Sequence, residues 1–164
     1  MKTILLFLLA ASTCAAQSVS VASGAGYGAF NSAWKNAAPL WSAGLVIDNP
    51  IGQKAGSMIG LHYRQRGEKR TTLHTVQADF AGQYIGTRIR AGAGAFFSLA
   101  AGSVSQSEQP RKFGSGVGLS AFAACRLWRG LSVRVVYDHG LTNLVEVGEG
   151  ITAQGAYLLL EYRL

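Results

Sequence analysis

The chain has 164 residues, of which 49% are hydrophobic and 14% charged, and its formal charge is +7 at pH 7. Such a low charged fraction is unusual for a water-soluble domain. After the first 16 residues, however, no segment approaches the roughly 20 consecutive apolar residues that a membrane-spanning helix needs. The composition therefore disfavours both an ordinary soluble domain and a helical membrane protein.

The first 16 residues have the pattern of a secretory signal peptide. Lys2 gives a basic start, residues 4–11 form a short apolar run, and small residues precede Gln17. The run is too short to cross a bilayer, as is typical of a signal peptide. We therefore expect residues 1–16 to be removed and residues 17–164 to form one mature domain.

Cysteine usage adds one constraint on the mature domain. Cys14 lies in the leader, so cleavage leaves Cys125 as the one remaining cysteine. Lipoprotein processing at Cys14 is an alternative, but the large aliphatic residue that usually precedes such a cysteine is missing. Without an intrachain disulfide, the domain has to be stabilised by its own packing or by a membrane.

After the leader, apolar residues recur at every second position in segments separated by glycine, asparagine, proline and charged residues. This period of two predicts β-strands, and their lengths suit a tilted crossing of a membrane. We predict an all-β, eight-stranded, antiparallel up-and-down transmembrane β-barrel. The strands are expected at residues 18–29, 39–48, 56–65, 73–84, 88–101, 114–127, 131–140 and 153–164.

The position of the charges within the alternation favours a membrane. In the strand at 88–101, one phase is apolar from Ile89 to Leu99, whereas the other holds Arg88, Arg90 and glycines. A soluble β-sandwich shows similar alternation but turns a heavily charged face to water. Here the second phase is rich in glycine and serine, as expected for the lumen of a membrane barrel.

The connections and aromatic residues fit the same architecture. Membrane barrels have short periplasmic turns and longer outer loops. We expect turns at 49–55, 85–87 and 128–130 and outer loops at 30–38, 66–72, 102–113 and 141–152. Aromatic residues near strand ends suit interfacial girdles: Trp41, Tyr63, Tyr84, Trp128, Tyr137 and Tyr162.

Four stretches resemble strands of the PorT-like outer-membrane β-barrel family of Bacteroidetes-type bacteria. They are residues 61–67 (LHYRQRG), 91–97 (AGAGAFF), 135–144 (VVYDHGLTNL) and 158–164 (LLLEYRL). The resemblance implies an eight-stranded barrel in the outer membrane. It implies no defined activity. Some members are linked to secretion or gliding machinery, so a secretion or envelope protein partner is an open expectation.

Charged residues in the non-apolar phase predict a network inside the barrel. An eight-stranded barrel is just wide enough for side chains to fill it, so we expect a structural charge network and no open pore. An anion-selective path, favoured by the excess of arginine, is the alternative. The predicted network consists of Arg64, Asp79, Arg90, Arg126, Arg134, Glu161 and Arg163.

Catalytic and cofactor motifs are weak in this sequence. The histidines are His62, His74 and His139, and no G-x-S-x-G motif is present. His139 lies near the outer end of its strand, so a lipid A-modifying barrel enzyme stays open as an alternative. The scattered histidines do not match a zinc motif. We predict no catalytic residues, no enzyme activity, no metal and no cofactor.

The expected partners follow from export and charge. Outer-membrane lipid and lipopolysaccharide would meet cations that we place in outer loops, namely Arg66, Lys69, Arg70, Arg111 and Lys112. Export and the inward placement of most arginines argue against nucleic acid. The predicted role is structural or accessory in the cell outer membrane. A secreted, lipocalin-like barrel that binds an apolar ligand is the second alternative.

Overall fold

Residues 17–31, 34–68, 71–105, 114–142 and 152–164 are described by a computed structural model of the chain. The predicted signal peptide and the cations Lys69, Arg70, Arg111 and Lys112 lie outside these residues. The described part contains eight strands and one 3₁₀ turn at Trp34–Asn36. The strands are β1 (Ser18–Phe30), β2 (Ala38–Ile51), β3 (Ala55–Glu68), β4 (Thr71–Ile85), β5 (Ile89–Ser105), β6 (Ser115–Arg126), β7 (Leu131–Gly140) and β8 (Ala153–Arg163).

The eight strands form a closed barrel in which each pairs with its neighbours in the chain, and β8 pairs with β1. All pairings are antiparallel, and closure runs from Ser20 opposite Arg163 to Phe30 opposite Ala153. Closure leaves no unpaired sheet edge, as a β-structure in a membrane requires. The predicted eight-stranded antiparallel up-and-down barrel is confirmed.

Three short connections define one end of the barrel, which we call the turn end. They are residues 52–54, 86–88 and 127–130, and the start of β1 and the finish of β8 lie at the same end. Glycines at two of these turns, Gly52 and Gly130, have positive φ of 82° and 78°. Such angles are readily adopted by glycine because it has no Cβ. The opposite end is called the loop end.

The predicted outer loop at 66–72 is wrong, because the β3–β4 hairpin continues through most of it. Pairing extends from Arg66 opposite Leu73 to Glu68 opposite Thr71. Leu73 is fully buried, so the outer part of the hairpin has its own apolar contact with Phe30 and Ala153. Polar composition suggested a loop, but these residues keep their backbone hydrogen bonds by pairing with each other.

Apolar side chains cover the outside of the barrel in alternate positions. Leu61, Leu119 and Leu158 are 52–58% exposed, whereas their inward-facing chain neighbours are buried. Cys125 also faces outward as a free thiol. Among the described residues, no helix is long and apolar enough to cross a membrane. The outward-facing apolar residues together give the barrel a broad apolar outer surface.

Outward-facing tyrosine and tryptophan side chains lie toward both ends of this apolar wall. Tyr27, Trp41, Tyr63 and Tyr137 are in the loop-end halves of their strands. Tyr84, Trp128 and Tyr162 lie at the turn end. The rings of Trp41 and Tyr63 are 4.9 Å apart, which links β2 to β3 on the outer surface. Belts of tyrosine and tryptophan on either side of an apolar band are typical of barrels that cross a bilayer.

Candidate functional site

The first group of lumen charges, which we call the upper cluster, joins three strands. Arg64 of β3 contacts Asp138 of β7 and also Asp79 of β4, with 3.1 Å between Arg64 Nη2 and Asp79 Oδ2. Arg66 contributes a second guanidinium to Asp138, with Nη2 2.9 Å from Oδ2. All four side chains are buried. Ionised groups are tolerated in such a place because each has an opposite charge in hydrogen-bonding contact.

Two further side chains complete the upper cluster. His62 Nε2 is 3.3 Å from Asp79 Oδ2. The Gln77 amide donates to Asp79 and accepts a hydrogen bond from Arg66. Gln77 thus connects a carboxylate and a guanidinium that have no direct contact, and the six side chains of the upper cluster form one connected network.

The second group, the lower cluster, joins five strands nearer the turn end. Arg90 of β5 bridges two carboxylates: it contacts Asp48 of β2, and its Nη2 is 2.5 Å from Glu161 Oε1 on β8. Arg134 of β7 lies 2.7 Å from the other Glu161 oxygen. Gln83 of β4 donates to Asp48 at 2.9 Å. These contacts connect strands far apart in the chain, so the cluster links opposite parts of the barrel wall.

Aromatic rings fill the space beside the guanidinium groups. Arg66 lies 4.5 Å above the ring of Phe96, Arg134 lies 4.3 Å above Phe122, and Arg64 is 5.3 Å from the ring of Tyr157. Each contact pairs a cation with the negative face of a ring. The rings also occupy lumen volume that water would otherwise enter.

A buried apolar layer separates the two clusters. On β7, Val136 lies between Arg134 and Asp138, and on β4 Ala81 lies between Gln83 and Asp79 in the same inward phase. Leu159 has the corresponding position on β8, and all three pack in one apolar cluster with Val46, Met58 and Phe122. The layer thus places apolar side chains between the two charged clusters.

Lumen glycines make room for these large side chains. A Cβ on Gly118 would lie 2.4 Å from the ring of Phe96 and 2.3 Å from the carbonyl oxygen of His139. Gly44 and Gly60 similarly leave space for the imidazole of His62. The glycine-rich strands therefore fit large residues into a narrow barrel.

We expect Gly118→Ala to destabilise the barrel by about 1–3 kcal/mol, because the added methyl overpacks the lumen. Gly82→Ala is a matched control, since a Cβ there meets nothing within 4 Å. Equilibrium unfolding in urea with lipid vesicles measures both. Equal stability of the two variants would contradict a closely packed lumen.

The structure brings together five of the seven predicted network residues. Arg64 and Asp79 lie in the upper cluster, and Arg90, Arg134 and Glu161 lie in the lower cluster. Arg126 and Arg163 are exposed at the turn end, where they line a cavity of about 380 Å³. They form no ion pair with a carboxylate of the described residues. These two residues stay outside both clusters, because both sit at strand ends where the lumen opens.

Sequence reasoning missed several members of the clusters. Asp138 shares the phase of Arg134 in its predicted strand but is not among the predicted network residues, and Asp48 is the last residue of its predicted strand. Arg66 was wrongly placed in an outer loop, although it is buried in the lumen. Its position two residues after Arg64, in the same phase, is the signal that identifies it.

The remaining histidines lie on the outer wall toward the loop end. His74 Nδ1 forms a hydrogen bond with the hydroxyl of Tyr63. His139 is half-buried, and its ring is 6.5 Å from that of Tyr137. Asp138, the neighbouring acid, points inward to Arg64 and Arg66 and so is directed away from His139. Among the described residues, no group of three or more His, Cys, Asp or Glu side chains is arranged to hold a metal ion.

Comparison with known proteins shows similarity in structure but not in sequence. No family profile matches the chain, and no curated protein sequence matches it. Neisserial surface protein A has 11% identity and a TM-score of 0.65, with 91% of this chain and 99% of that chain covered.

The chain has the fold of small outer-membrane β-barrels.

Two further solved structures share this architecture. Ail, the attachment invasion locus protein of Yersinia pestis, has 11% identity and a TM-score of 0.51, covering 90% of this chain and 97% of that one. The outer-membrane enzyme PagL has 13% identity and a TM-score of 0.53, covering 90% and 99%. At these identities the likeness concerns the fold, which an enzyme and surface proteins share, and a fold does not by itself define a function.

Proposed function

We propose that this chain is an integral outer-membrane β-barrel with a structural or accessory role in the cell envelope and a lumen closed to ions. The observation that carries the proposal is an inverted distribution of polarity. Apolar side chains cover the outside between two aromatic belts, whereas the ion pairs lie inside. A soluble barrel would expose the charges and bury the apolar residues.

The interior also supports this role over a soluble carrier. A lipocalin-like protein needs an apolar cavity for its ligand. Here the lumen holds two ion-pair clusters, stacked rings and an intervening apolar layer. The turn end would face the periplasm and the loop end the exterior, as in other membrane barrels. Residues 1–16 would direct export, and outer-membrane lipid and lipopolysaccharide would surround the wall.

Localisation is tested by fractionating cells that express the full chain. We expect the mature protein to begin near Gln17, to sediment with outer membranes, and to migrate differently on gels before and after boiling. A protein that stays soluble without detergent would contradict the membrane proposal. An unprocessed N-terminus would contradict the signal peptide alone.

If the lumen is closed, the barrel should not conduct ions across a bilayer. In planar bilayers, the purified barrel should produce no stepwise conductance above the background of the bilayer, because the apolar layer blocks the path of a hydrated ion. A wide porin added to the same bilayer serves as the positive control for insertion. Regular anion-selective steps from this protein would overturn the closed-lumen proposal and favour the alternative of an arginine-lined path.

The proposed role is not enzymatic, and the sharing of the fold with PagL makes this worth testing directly. Lipid A extracted from cells with and without the protein should give identical mass spectra. If the protein instead adds an acyl chain to lipid A or removes one, and the His139→Ala variant does not, the protein is a lipid A-modifying enzyme. The PorT-like resemblance suggests a secretion or envelope protein partner, which copurification from crosslinked membranes would reveal.

A further inference from the structure

The turn-end mouth of the barrel contains a cavity whose charge is not balanced. Its volume is about 380 Å³, within the range of small-molecule sites. The cavity is lined by Arg126, Arg129 and Arg163, together with Ser20 and Ser132. The barrel thus presents guanidinium and hydroxyl donors in one concave site.

The two carboxylates that border this cavity are already paired with other side chains of the lower cluster. Asp48 accepts hydrogen bonds from Arg90 and Gln83, and Glu161 accepts from Arg90 and Arg134. Among the described residues, Arg126, Arg129 and Arg163 have no carboxylate within ion-pair distance. The floor is therefore close to neutral, while the walls carry three positive charges without counter-charges.

We propose that this mouth cavity binds a phosphate-bearing anion. Planar guanidinium groups donate two parallel hydrogen bonds to phosphate oxygens, and several of them around one anion share its charge. Serine hydroxyls supply further donors. The partly enclosed position strengthens the attraction, because less water screens the charges. The phosphate group belongs either to a soluble phosphomonoester or to the headgroup of a phospholipid, and the experiment separates these sources.

The cavity and its rim can be distinguished by matched variants. Lys54 and Arg88 lie at the same end of the barrel but do not line the cavity. Arg126→Gln with Arg163→Gln and Lys54→Gln with Arg88→Gln each remove two positive charges from this end. A general attraction of anions to the basic end would be weakened equally by both pairs, whereas a cavity site depends on the first pair.

The soluble arm uses titration calorimetry of the full-length mature barrel in phosphate-free detergent with glycerol 3-phosphate. The lipid arm uses native mass spectrometry of protein released from nanodiscs that contain phosphatidylcholine and phosphatidylglycerol. Binding or retention in either arm, reduced at least tenfold by the cavity pair and less than twofold by the rim pair, would support the site. Binding in both arms assigns the phosphate group as the common determinant.

Two results would overturn the site. One is the absence of binding in both arms, and the other is equal weakening by the two variant pairs. Gel mobility before and after boiling shows for every variant whether the barrel is folded. A folded barrel that binds no phosphate leaves the envelope proposal intact, so the failure of one proposal is distinguishable from the failure of the other.

Discussion

Replacing Asp138 with alanine should lower the free energy of unfolding by about 3–5 kcal/mol, the cost of removing one partner from a buried ion pair. Asp138 is fully buried and accepts from both Arg64 and Arg66. Without it, Arg66 keeps a hydrogen bond to Gln77 but has no carboxylate in contact. The loss of unfolding free energy is large because one substitution removes a carboxylate partner from two buried guanidinium groups.

Asp138→Asn separates charge from hydrogen bonding. The amide oxygen still accepts a hydrogen bond, so the loss of unfolding free energy should be smaller than for alanine. It should still be measurable, because Arg64 keeps only Asp79 as a carboxylate partner and Arg66 keeps none. Urea titration in lipid vesicles, followed by tryptophan fluorescence, measures the three proteins. If Asp138→Ala unfolds at the wild-type midpoint, water reaches the upper cluster, and the closed-lumen proposal fails together with the stability prediction.

Placing arginine at Leu158 should destabilise the barrel by about 2–4 kcal/mol in a bilayer, the cost of a cation on the lipid face near the midplane. Leu158 is the central residue of β8 and is 58% exposed on the outer wall. The acids Asp48, Asp79, Asp138 and Glu161 are buried inside the barrel, so none of these four carboxylates is on the outer surface beside it. The arginine would have to extend toward headgroups or draw water into the membrane.

Leu164→Arg is the matched control for depth. Leu164 follows β8 in the same outward phase and is 74% exposed at the turn end, where the expected penalty falls to about 0–1 kcal/mol. Unfolding in vesicles gives both values. If the two arginines cost the same, the outer wall does not contact a hydrocarbon layer. In that case the apolar surface would need another explanation, such as association between copies.

The strands and their faces were predictable because they depend on local geometry. In an extended chain, neighbouring side chains point to opposite sides, so the alternation around Gln77, Asp79 and Phe80 shows which residues share a face. Predicted and observed strands differ mainly at their ends. The largest difference is the β3–β4 hairpin, where polar residues 66–72 continue the pairing in place of a loop.

The amino-acid sequence alone is enough to predict the period of two and the number of alternating segments. It also predicts the inward phase of Arg64, Asp79, Arg134 and Glu161, because that phase follows from the spacing of residues along each strand. The tertiary structure decided which carboxylate meets which arginine. Asp138 and Arg64 are 74 positions apart in the chain, and their contact depends on strand tilt and on closure of β8 against β1. Closure of the barrel also places Arg126 and Arg163 beside a cavity at the turn end, because it fixes where along the barrel axis the filled part of the lumen ends.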